Sequence, residues 1–303
     1  MSQLLNLLSS VETVPEDERG ELWPLHLSTA AVSSLLDEAE LTPKPALVDR
    51  QGNGAHHDLD LDRLRRSARS LQDGFADMAR AAAVKKSPLR LREQIGRIGR
   101  DMERRMLVAT DGRNAHRGAI WALGLLVTAS GQRRAERNAA RIAAAAAALA
   151  RLPDQFALHP LSNGEQVRLR YGATGARGEA QAAFPHAIRV GLPTLRAARD
   201  RGAVEDCARL DALMAIMASL DDTCLLHRGG LAALAAAQAG AKAVLAAGGT
   251  ASPVGLQRLH RLHAGLMARW ASPGGSADLL AVTLFLDRLE GRSRSVPPTR
   301  GVF

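Results

Sequence analysis

Side chains able to transfer protons or to bind phosphates and metal ions are concentrated in five short stretches of this 303-residue sequence. Acids, histidines and basic residues recur there beside glycine and proline, whereas the chain between them is rich in alanine and leucine. Loops held by a rigid scaffold often carry such groups. The stretches are residues 42–62, 103–118, 175–185, 220–230 and 271–280, and each allows a functional and a structural interpretation.

The stretch 42–62 reads TPKPALVDRQGNGAHHDLDLD and precedes a predicted helix. Its last two aspartates, Asp60 and Asp62, are explained by capping, because acidic side chains interact favourably with a helix N-terminus. Capping does not explain Lys44, His56 or His57. A chemical role for this stretch therefore remains open.

The stretch 103–118 ends with a glycine turn, Asn114 and His116, just before an apolar helix predicted to begin near Ala119. Free backbone N–H groups at such a helix start can bind a phosphate. The helix dipole should disfavour a cationic histidine there, which leaves His116 neutral and able to act as a base. The structural alternative is an Asn114 N-cap beside a histidine without a chemical role.

The stretch 220–230 places Asp221 and Asp222 after an apolar helix. Two carboxylates at the C-terminal, negative end of a helix would be unfavourable. A cation should then compensate them, either Arg228 or a bound Mg²⁺, which prefers carboxylate oxygens. Gly229 and Gly230 are predicted to end the element, and Cys224 is interpreted as a buried thiol rather than a nucleophile.

Two stretches are weaker by themselves. Taken alone, Arg177 and Glu179 in 175–185 are better explained by a solvated ion pair. In 271–280, Gly274 and Gly275 open a helix and could cradle a phosphate, with Ser276 as N-cap. No Gly-Lys-Ser/Thr follows them, so this is not a Walker A motif, and a simple turn is the alternative.

The elements that would position these groups are predicted to be helices. Aromatic residues make up only 3% of the chain, and apolar residues recur every three or four positions. We therefore expect an all-α fold, a single compact multi-helix domain over residues 1–303 with a loop-rich active-site face and a loose tail at 291–303. A β-hairpin at 166–171 is the one sheet element considered. Helices are predicted within 1–20 and at 30–40, 61–82, 138–152, 204–220, 256–270 and 277–289.

The composition restricts the class of protein. The formal net charge is +9, and only four of the 40 basic residues are lysines. Arginine binds phosphate in a bidentate manner, so phosphate-rich ligands are plausible, although a coding bias explains many arginines equally well. Neither cysteine lies in a C-x-x-C pair, and we find no signal peptide or apolar run of about 20 residues. These features predict a cytoplasmic protein with no membrane partner.

Read in order, the stretches resemble the signature of the triphosphoribosyl-dephospho-CoA synthase family. The family pattern contains PKPGLVD, G-[SA]-H-x-D-M-D, TGGVNTHKG, GARGEA…GFP, DDTN…RGG and SPGGSADLLA. The corresponding residues, which we call the six signature segments, are 43–49, 54–60, 110–118, 175–185, 221–230 and 272–281. One segment alone is a weak signal, but six in order are specific, and the match extends over about residues 30–290.

The sequence departs from the family pattern at several positions. Ala46 and Ala183 replace glycines, Leu59 replaces a methionine, and Cys224 stands where asparagine is common. The segment 110–118 reads TDGRNAHRG, which loses a threonine hydroxyl but keeps a positive charge at Arg117. These changes bear on activity, whereas the asparagine and histidine of that segment are retained.

The resemblance implies a glycosyl transfer: the 2′-hydroxyl of dephospho-CoA attacks C1 of the ATP ribose, and adenine leaves. An oxocarbenium-like state of this kind needs a base, a proton or hydrogen bond at adenine, and cations at the triphosphate. We predict His116 or His56 as the base, with Asn114, Glu103 and Glu179 as further catalytic residues. Phosphates are assigned to Lys44, Arg50, Arg117, Arg177, Arg228 and the Gly274–Gly275 turn, and Mg²⁺ to Asp58, Asp221 and Asp222.

The family resemblance also implies partners. ATP and dephospho-CoA would be the substrates, Mg²⁺ would accompany ATP, and no organic prosthetic group is expected. The product would pass to a transferase acting on an acyl carrier subunit. The form DDTCLLHRGG at 221–230 favours the malonate decarboxylase branch over the citrate lyase branch. A homodimer is compatible with the sequence.

Two other classes of protein were considered. A helical HD-type metal phosphohydrolase would use His57 and Asp58 with His26 and Asp221, and would release phosphate rather than adenine. A non-catalytic nucleic-acid-binding protein would use the arginine surface and bind with strong salt dependence. Neither accounts for the six ordered segments, and the sequence lacks the aromatic and motif patterns of nucleic-acid binding, so no nucleic-acid partner is expected.

Overall fold

The computed structural model describes residues 16–157 and 163–291, and within these ranges the regular secondary structure is helical. An isolated bridge between Asp49 and Gly52 is the only β-type pairing in the described residues. This confirms the all-α prediction. The helices are α1 (Glu16–Glu40), α2 (Leu61–Ser70), α3 (Gln72–Ala83), α4 (Pro88–Ala109), α5 (Arg117–Gln132), α6 (Ala139–Arg151), α7 (Asn163–Tyr171), α8 (Gly175–Gln181), a π-helical turn (His186–Gly191), α9 (Leu192–Asp200), α10 (Glu205–Met217), α11 (Thr223–Ala246), α12 (Pro253–Met267) and α13 (Gly274–Leu289).

Several helix starts follow from local capping. The side chains of Asp60, Ser87, Asn138 and Ser252 each accept a hydrogen bond from a backbone N–H in the first turn of α2, α4, α6 and α12. Such caps satisfy N–H groups that have no partner within the helix. The caps place α2, α6 and α12 close to their predicted positions, whereas α4 was not predicted.

The structure corrects two predictions of local structure. Residues 166–171 belong to α7 rather than to a β-hairpin, and glutamine, arginine and leucine in this stretch favour a helix. The helix predicted over 61–82 is divided at Leu71 into α2 and α3. At Gly230, which has φ 63° and ψ −161°, the first helical part of α11 ends as predicted, and a second part begins after this kink. The predictions for 1–15 and for 292–303 lie outside the described residues.

Two large apolar clusters form the core, and α13 lies between them. Leu279, Val282 and Phe285 of α13 belong to a cluster built mainly from α1 and α3–α6. On another side of the same helix, Leu280 and Leu284 belong to a cluster built mainly from α9–α12. Because α13 is buried on both sides, its N-terminus brings the signature segment 272–281 into the interior.

A helix with membrane-like composition also occurs among the described residues. Helix α11 is long enough and apolar enough for a membrane span by length and composition alone. The break at Gly230 leaves residues 231–246 as its regular part. This stretch is shorter than the about 20 residues that a span requires. Helix α11 therefore meets the length criterion only when the two parts are counted together.

Candidate active site

The carboxylate of Asp222 joins the N-termini of two helices. Its Oδ1 accepts hydrogen bonds from the backbone N–H of Cys224 at 2.9 Å, in α11, and of Gly275 at 3.2 Å, in α13. Its Oδ2 accepts from both the backbone N–H and the hydroxyl of Ser276, each at 2.8 Å. Asp222 is buried, and its charge faces the positive ends of both helix dipoles.

The position of Asp222 differs from the one predicted for the acidic pair Asp221 and Asp222. We expected Asp221 and Asp222 to face the negative end of a helix and to need a cation. Helix α10 instead ends at Met217, and Asp222 opens α11, where a carboxylate is favourable without a metal. The predicted N-cap role of Ser276 is also wrong, because Pro273 occupies the cap position and Ser276 donates to Asp222.

A second carboxylate, which the sequence analysis did not select, lies at the N-terminus of α5. Asp278 lies near the backbone N–H of Ala119, and its Oδ2 is so close to Gly118 that a β-carbon there would be 2.1 Å away. Burial, followed by the negative charges of Glu38 and Asp222, raises the pKa of Asp278 well above its usual value. Asp278 therefore keeps its proton to a higher pH than an ordinary aspartate does.

His116 is buried and lies next to this carboxylate-capped helix start. Its Nδ1 lies 2.6 Å from the hydroxyl of Ser67, while its buried Nε2 has no hydrogen-bond partner among the described residues. Burial, and then the positive charge of Lys44, lowers the pKa of His116 to about 4. The imidazole is therefore neutral at pH 7, as predicted, although burial and Lys44 rather than the helix dipole are the causes.

Lys44 was predicted to bind phosphate, but its environment differs from that of a phosphate-binding residue. Its ammonium group is buried and donates to the side chain and the backbone carbonyl of Glu38, at 2.6 Å in both cases. Its own backbone N–H donates to Asp49. The Lys44–Glu38 ion pair lies within the site and acts on His116 and Asp278 through its charges.

Asn114, Arg117 and Glu103 lie at the start of α5. The side-chain oxygen of Asn114 accepts from the backbone N–H of Arg117 at 3.2 Å, as a cap does, while the His116 side chain makes no such bond. The Arg117 guanidinium forms an ion pair with Glu103 at 3.1 Å. Arg117 is exposed, so a phosphate could reach it, while Glu103 is partly covered.

Arg228 determines the protonation pattern of His56. One guanidinium nitrogen donates to the carbonyl of Ala55 at 2.8 Å, and another lies 3.2 Å from His56 Nδ1. Because arginine only donates hydrogen bonds, Nδ1 must be the acceptor, which leaves the proton of a neutral His56 on Nε2. Burial and Arg228 lower the pKa of His56 to about 4. Neutral His56 is thus better suited to donate a hydrogen bond than to accept a proton.

A third histidine, His186, pairs with Glu179. The Glu179 carboxylate accepts from the backbone N–H of His186 at 2.8 Å and lies 2.9 Å from its Nδ1. This hydrogen bond raises the pKa of His186, and the nearby charge of Asp221 adds to the effect. Glu179 is therefore a partner of His186 rather than of Arg177. His186 follows the signature segment 175–185 by one position, and no sequence signal distinguished it.

The remaining groups that were predicted to bind phosphate differ in how freely a phosphate could reach them. Arg50 is exposed and forms an ion pair with Glu40 at 3.1 Å. Arg177 is exposed at the start of α8. In the Gly274–Gly275 turn that was predicted to cradle a phosphate, the N–H of Gly275 donates to Asp222, as does the N–H of Ser276.

All six signature segments meet in this region. Lys44 acts on His116, Gly118 contacts Asp278, and Ser276 bonds to Asp222. Arg228 binds the loop at His56, while Asp221 acts on the His186–Glu179 pair. Ser67 and Asp278 complete the set; Ser67 lies inside a regular helix, where no sequence signal distinguished it. The arrangement combines an imidazole nitrogen without a partner among the described residues, a carboxyl group with a raised pKa, and exposed cations.

Two exposed carboxylates are compatible with a magnesium ion carried by a nucleotide. Asp58 and Asp221 are both exposed, whereas the oxygens of Asp222 already accept several hydrogen bonds. No group of three potential metal-ligating side chains occurs in the described part of the chain. Mg²⁺ commonly binds one or two carboxylates together with water and substrate phosphates, so Asp58 and Asp221 fit this mode.

Comparison with known proteins covers nearly the whole chain. Residues 24–296 match the model of the CitG family, described as ATP:dephospho-CoA triphosphoribosyl transferase. A probable 2-(5''-triphosphoribosyl)-3'-dephosphocoenzyme-A synthase of Azotobacter vinelandii is 55% identical over 282 residues, covering 92% of this chain and 95% of the relative. The 2-(5''-triphosphoribosyl)-3'-dephosphocoenzyme-A synthase of Klebsiella pneumoniae is 54% identical over 277 residues, covering 89% and 99%. No solved structure matches the chain significantly.

Proposed function

The chain belongs to the CitG family of ATP:dephospho-CoA triphosphoribosyl transferases, and we propose that it transfers the triphosphoribosyl group of ATP to dephospho-CoA with release of adenine. It is accordingly an enzyme of the transferase class. The observation that carries this proposal is the match over residues 24–296, which includes all six segments that meet at the candidate site.

The acceptor hydroxyl must lose a proton as it attacks. The 2′-oxygen of the dephospho-CoA adenosine forms a bond to C1 of the ATP ribose, and the bond from C1 to adenine breaks. His116 Nε2 is the proposed base, because it is buried, neutral at pH 7 and without a partner in the described structure. Ser67 holds the opposite ring nitrogen, so it acts as a positioning residue.

The departing adenine must receive a proton or a hydrogen bond. Asp278 is the proposed proton donor, since its raised pKa keeps its carboxyl group protonated at higher pH than usual. His56 is the proposed hydrogen-bond donor through Nε2, because Arg228 engages its Nδ1. In this scheme the proton taken by His116 and the proton given by Asp278 balance over one turnover once the two groups re-equilibrate with water.

The triphosphate requires positive charge. Asp58 and Asp221 are proposed to hold the Mg²⁺ that accompanies ATP, and Mg²⁺ would neutralise phosphate charge there. Exposed Arg117 and Arg177 are proposed phosphate contacts, with Arg50 and Arg228 available after rearrangement of their present bonds. A direct Mg²⁺ bond to Asp222 would require its hydrogen bonds to Gly275 or Ser276 to open.

A more specific proposal concerns the pathway that uses the product. The DDTCLLHRGG form of residues 221–230 supports the malonate decarboxylase branch, in which the product would be handed to a transferase that modifies an acyl carrier subunit. Cytoplasmic location follows from that partner and from nucleotide substrates. Transfer of product to purified acyl carrier subunits of the two kinds, in the presence of the matching transferase, would separate the two branches.

The reaction is tested with purified protein, ATP, Mg²⁺ and dephospho-CoA. We expect adenine to appear in step with a product that is heavier than dephospho-CoA by one triphosphoribosyl group. Omitting dephospho-CoA is the control and should stop adenine release. Formation of phosphate or pyrophosphate without adenine would show that the proposed reaction is wrong.

A further inference from the structure

An exposed aromatic pair lies beside the candidate site. The imidazole of His57 stacks on the indole of Trp270 with ring centroids 4.0 Å apart and an interplanar angle of 21°. Trp270 is 39% exposed, and His57 is also exposed. The other two tryptophans face the protein: Trp23 donates to the carbonyl of Ser130, and Trp121 lies beneath the guanidinium of Arg92.

The backbone at Trp270 is unfavourable for a tryptophan. Trp270 has φ 51° just beyond the end of α12, where the N–H of Ala271 donates to the carbonyl of Leu266. Glycine usually occupies the left-handed position that follows a helix, since a β-carbon there costs conformational energy. Trp270 belongs to no apolar core cluster that would offset this cost. Strained residues of this kind are found at ligand sites.

The pair is connected to the site through its neighbours. A β-carbon on Gly229 would lie 3.4 Å from the Ala271 side chain and 3.9 Å from the Arg269 carbonyl, so the Trp270 turn adjoins the Arg228 segment. His57 follows His56, whose ring lies next to Arg228. The aromatic surface is therefore at the edge of the loop that carries His56 and Asp58.

We propose that His57 and Trp270 form the stacking surface for an adenine ring. The inference rests on the proposed function, because ATP and dephospho-CoA both contain adenine. Purine rings stack on aromatic side chains through their π-faces, and such stacking contributes strongly to binding of single bases. An indole fixed on a turn and supported by an imidazole presents such a face, and the adjacent Arg228 supplies positive charge for the nucleotide's phosphates.

Trp270→Gly tests the surface without adding backbone strain. Isothermal titration calorimetry should show about 10-fold or greater weakening for whichever of ATP and dephospho-CoA places its adenine there, as expected for loss of one stacked base. Adenine-free probes, tripolyphosphate for ATP and 4′-phosphopantetheine for dephospho-CoA, should bind parent and variant equally. Trp270→Phe, which keeps a ring, should stay within about 3-fold of the parent.

The melting temperature distinguishes a binding role from a structural one. Because glycine suits φ 51°, Trp270→Gly should melt no earlier than the parent. Parental affinity of Trp270→Gly for both nucleotides, with adenine release intact in the parent, would overturn the stacking surface alone. Equal weakening of the adenine-free probes would also overturn it. A parent protein that binds neither nucleotide would overturn both this surface and the proposed reaction.

Discussion

At the scale of single residues, His116 is the strongest candidate for the base. His116→Ala should lower turnover by roughly 10²–10⁴-fold, which is the usual contribution of general-base assistance. Ser67→Ala should cause a smaller loss, because Ser67 only positions the ring. Steady-state adenine release measured below the melting temperature checks both variants. Parental turnover in a folded His116→Ala protein would contradict a base role for His116.

The low pKa of His116 also predicts how activity and stability depend on pH. With a pKa of about 4 in the folded protein, His116 stays unprotonated, and kcat/KM should not fall along an acidic limb near pH 6.5. Stability should change differently. The unfolded chain binds a proton near pH 6.5 and the folded one near pH 4, so stability falls as the pH is lowered through that window. His116→Gln should reduce this fall in melting temperature.

Asp278 is predicted to lower the free energy of unfolding at neutral and alkaline pH. Its pKa is raised in the folded protein, so the folded state releases the proton less readily than the unfolded chain, and stability falls as pH rises above the usual carboxyl range. Asp278→Asn keeps the shape without the ionisation. In a buffer without Mg²⁺ it should melt at or above the parental temperature at pH 8, with a difference that shrinks toward pH 4.

The turnover of Asp278→Asn tests whether Asp278 is also the proton donor. If Asp278 donates a proton to adenine, the same Asp278→Asn protein should turn over about 10²–10⁴-fold more slowly despite its higher stability. A stable variant that releases adenine at the parental rate would make Asp278 only a cap for the α5 N-terminus.

At the scale of elements, the start of α11 depends on Asp222 far more than on Asp221. Asp222→Asn would place an amide N–H group opposite the backbone N–H and the hydroxyl of Ser276, which also donate hydrogen bonds. This variant should lower the free energy of unfolding by about 2–4 kcal/mol. Asp221→Asn is the matched control, expected within about 0.5 kcal/mol because Asp221 is exposed. Urea unfolding measures both. Weaker Mg-ATP binding by Asp221→Asn at parental stability would support its proposed metal role.

The two alanines that replace family glycines carry backbone strain. Ala46 has φ 55° and Ala183 has φ 64°, a region that is unfavourable for residues with a β-carbon. Ala183→Gly should raise the free energy of unfolding by roughly 0.5–1 kcal/mol, the strain relieved minus the entropy cost of glycine. Ala182→Gly is the control, since φ is −87° at Ala182 and no gain is expected. Equal effects in the two variants would contradict the strain.

At the scale of the whole molecule, buried ion pairs join the helices away from the candidate site. Arg199 of α9 donates to Asp287 of α13 at 2.7 Å and binds both carboxylate oxygens of Glu205 in α10. Arg209 continues this network to Glu205 and to Asp37 of α1. Removing one member of a buried pair leaves an uncompensated charge, which is more costly than losing a surface pair.

Arg199→Ala should therefore lower the free energy of unfolding by about 3–5 kcal/mol. The exposed Arg141, paired with Glu136 at 3.5 Å, is the control, and Arg141→Ala should cost less than about 1 kcal/mol. Both proteins should release adenine at the parental rate well below their melting temperatures, because neither arginine contacts the site. Loss of turnover in folded Arg199→Ala would show that the network also shapes the site.

The sequence by itself determined the features that depend on nearby residues. Apolar spacing placed most helices, including those that became α6, α10 and α12, because an amphipathic stripe is a local property. The ordered signature segments identified the family. Short-range signals were less decisive at 166–171, where helix and strand patterns compete and the structure has α7.

Only the tertiary structure decided which partner each polar group has. Asp222 meets Ser276, Asp278 meets the start of α5, and His57 meets Trp270 across long stretches of chain. Sequence predicted phosphates at the glycine turn of α13, but a carboxylate from another segment occupies its N–H groups. The pKa values of His116 and Asp278 likewise follow from burial and neighbouring charges. These properties arise from packing around α13, and packing is not encoded in any one segment.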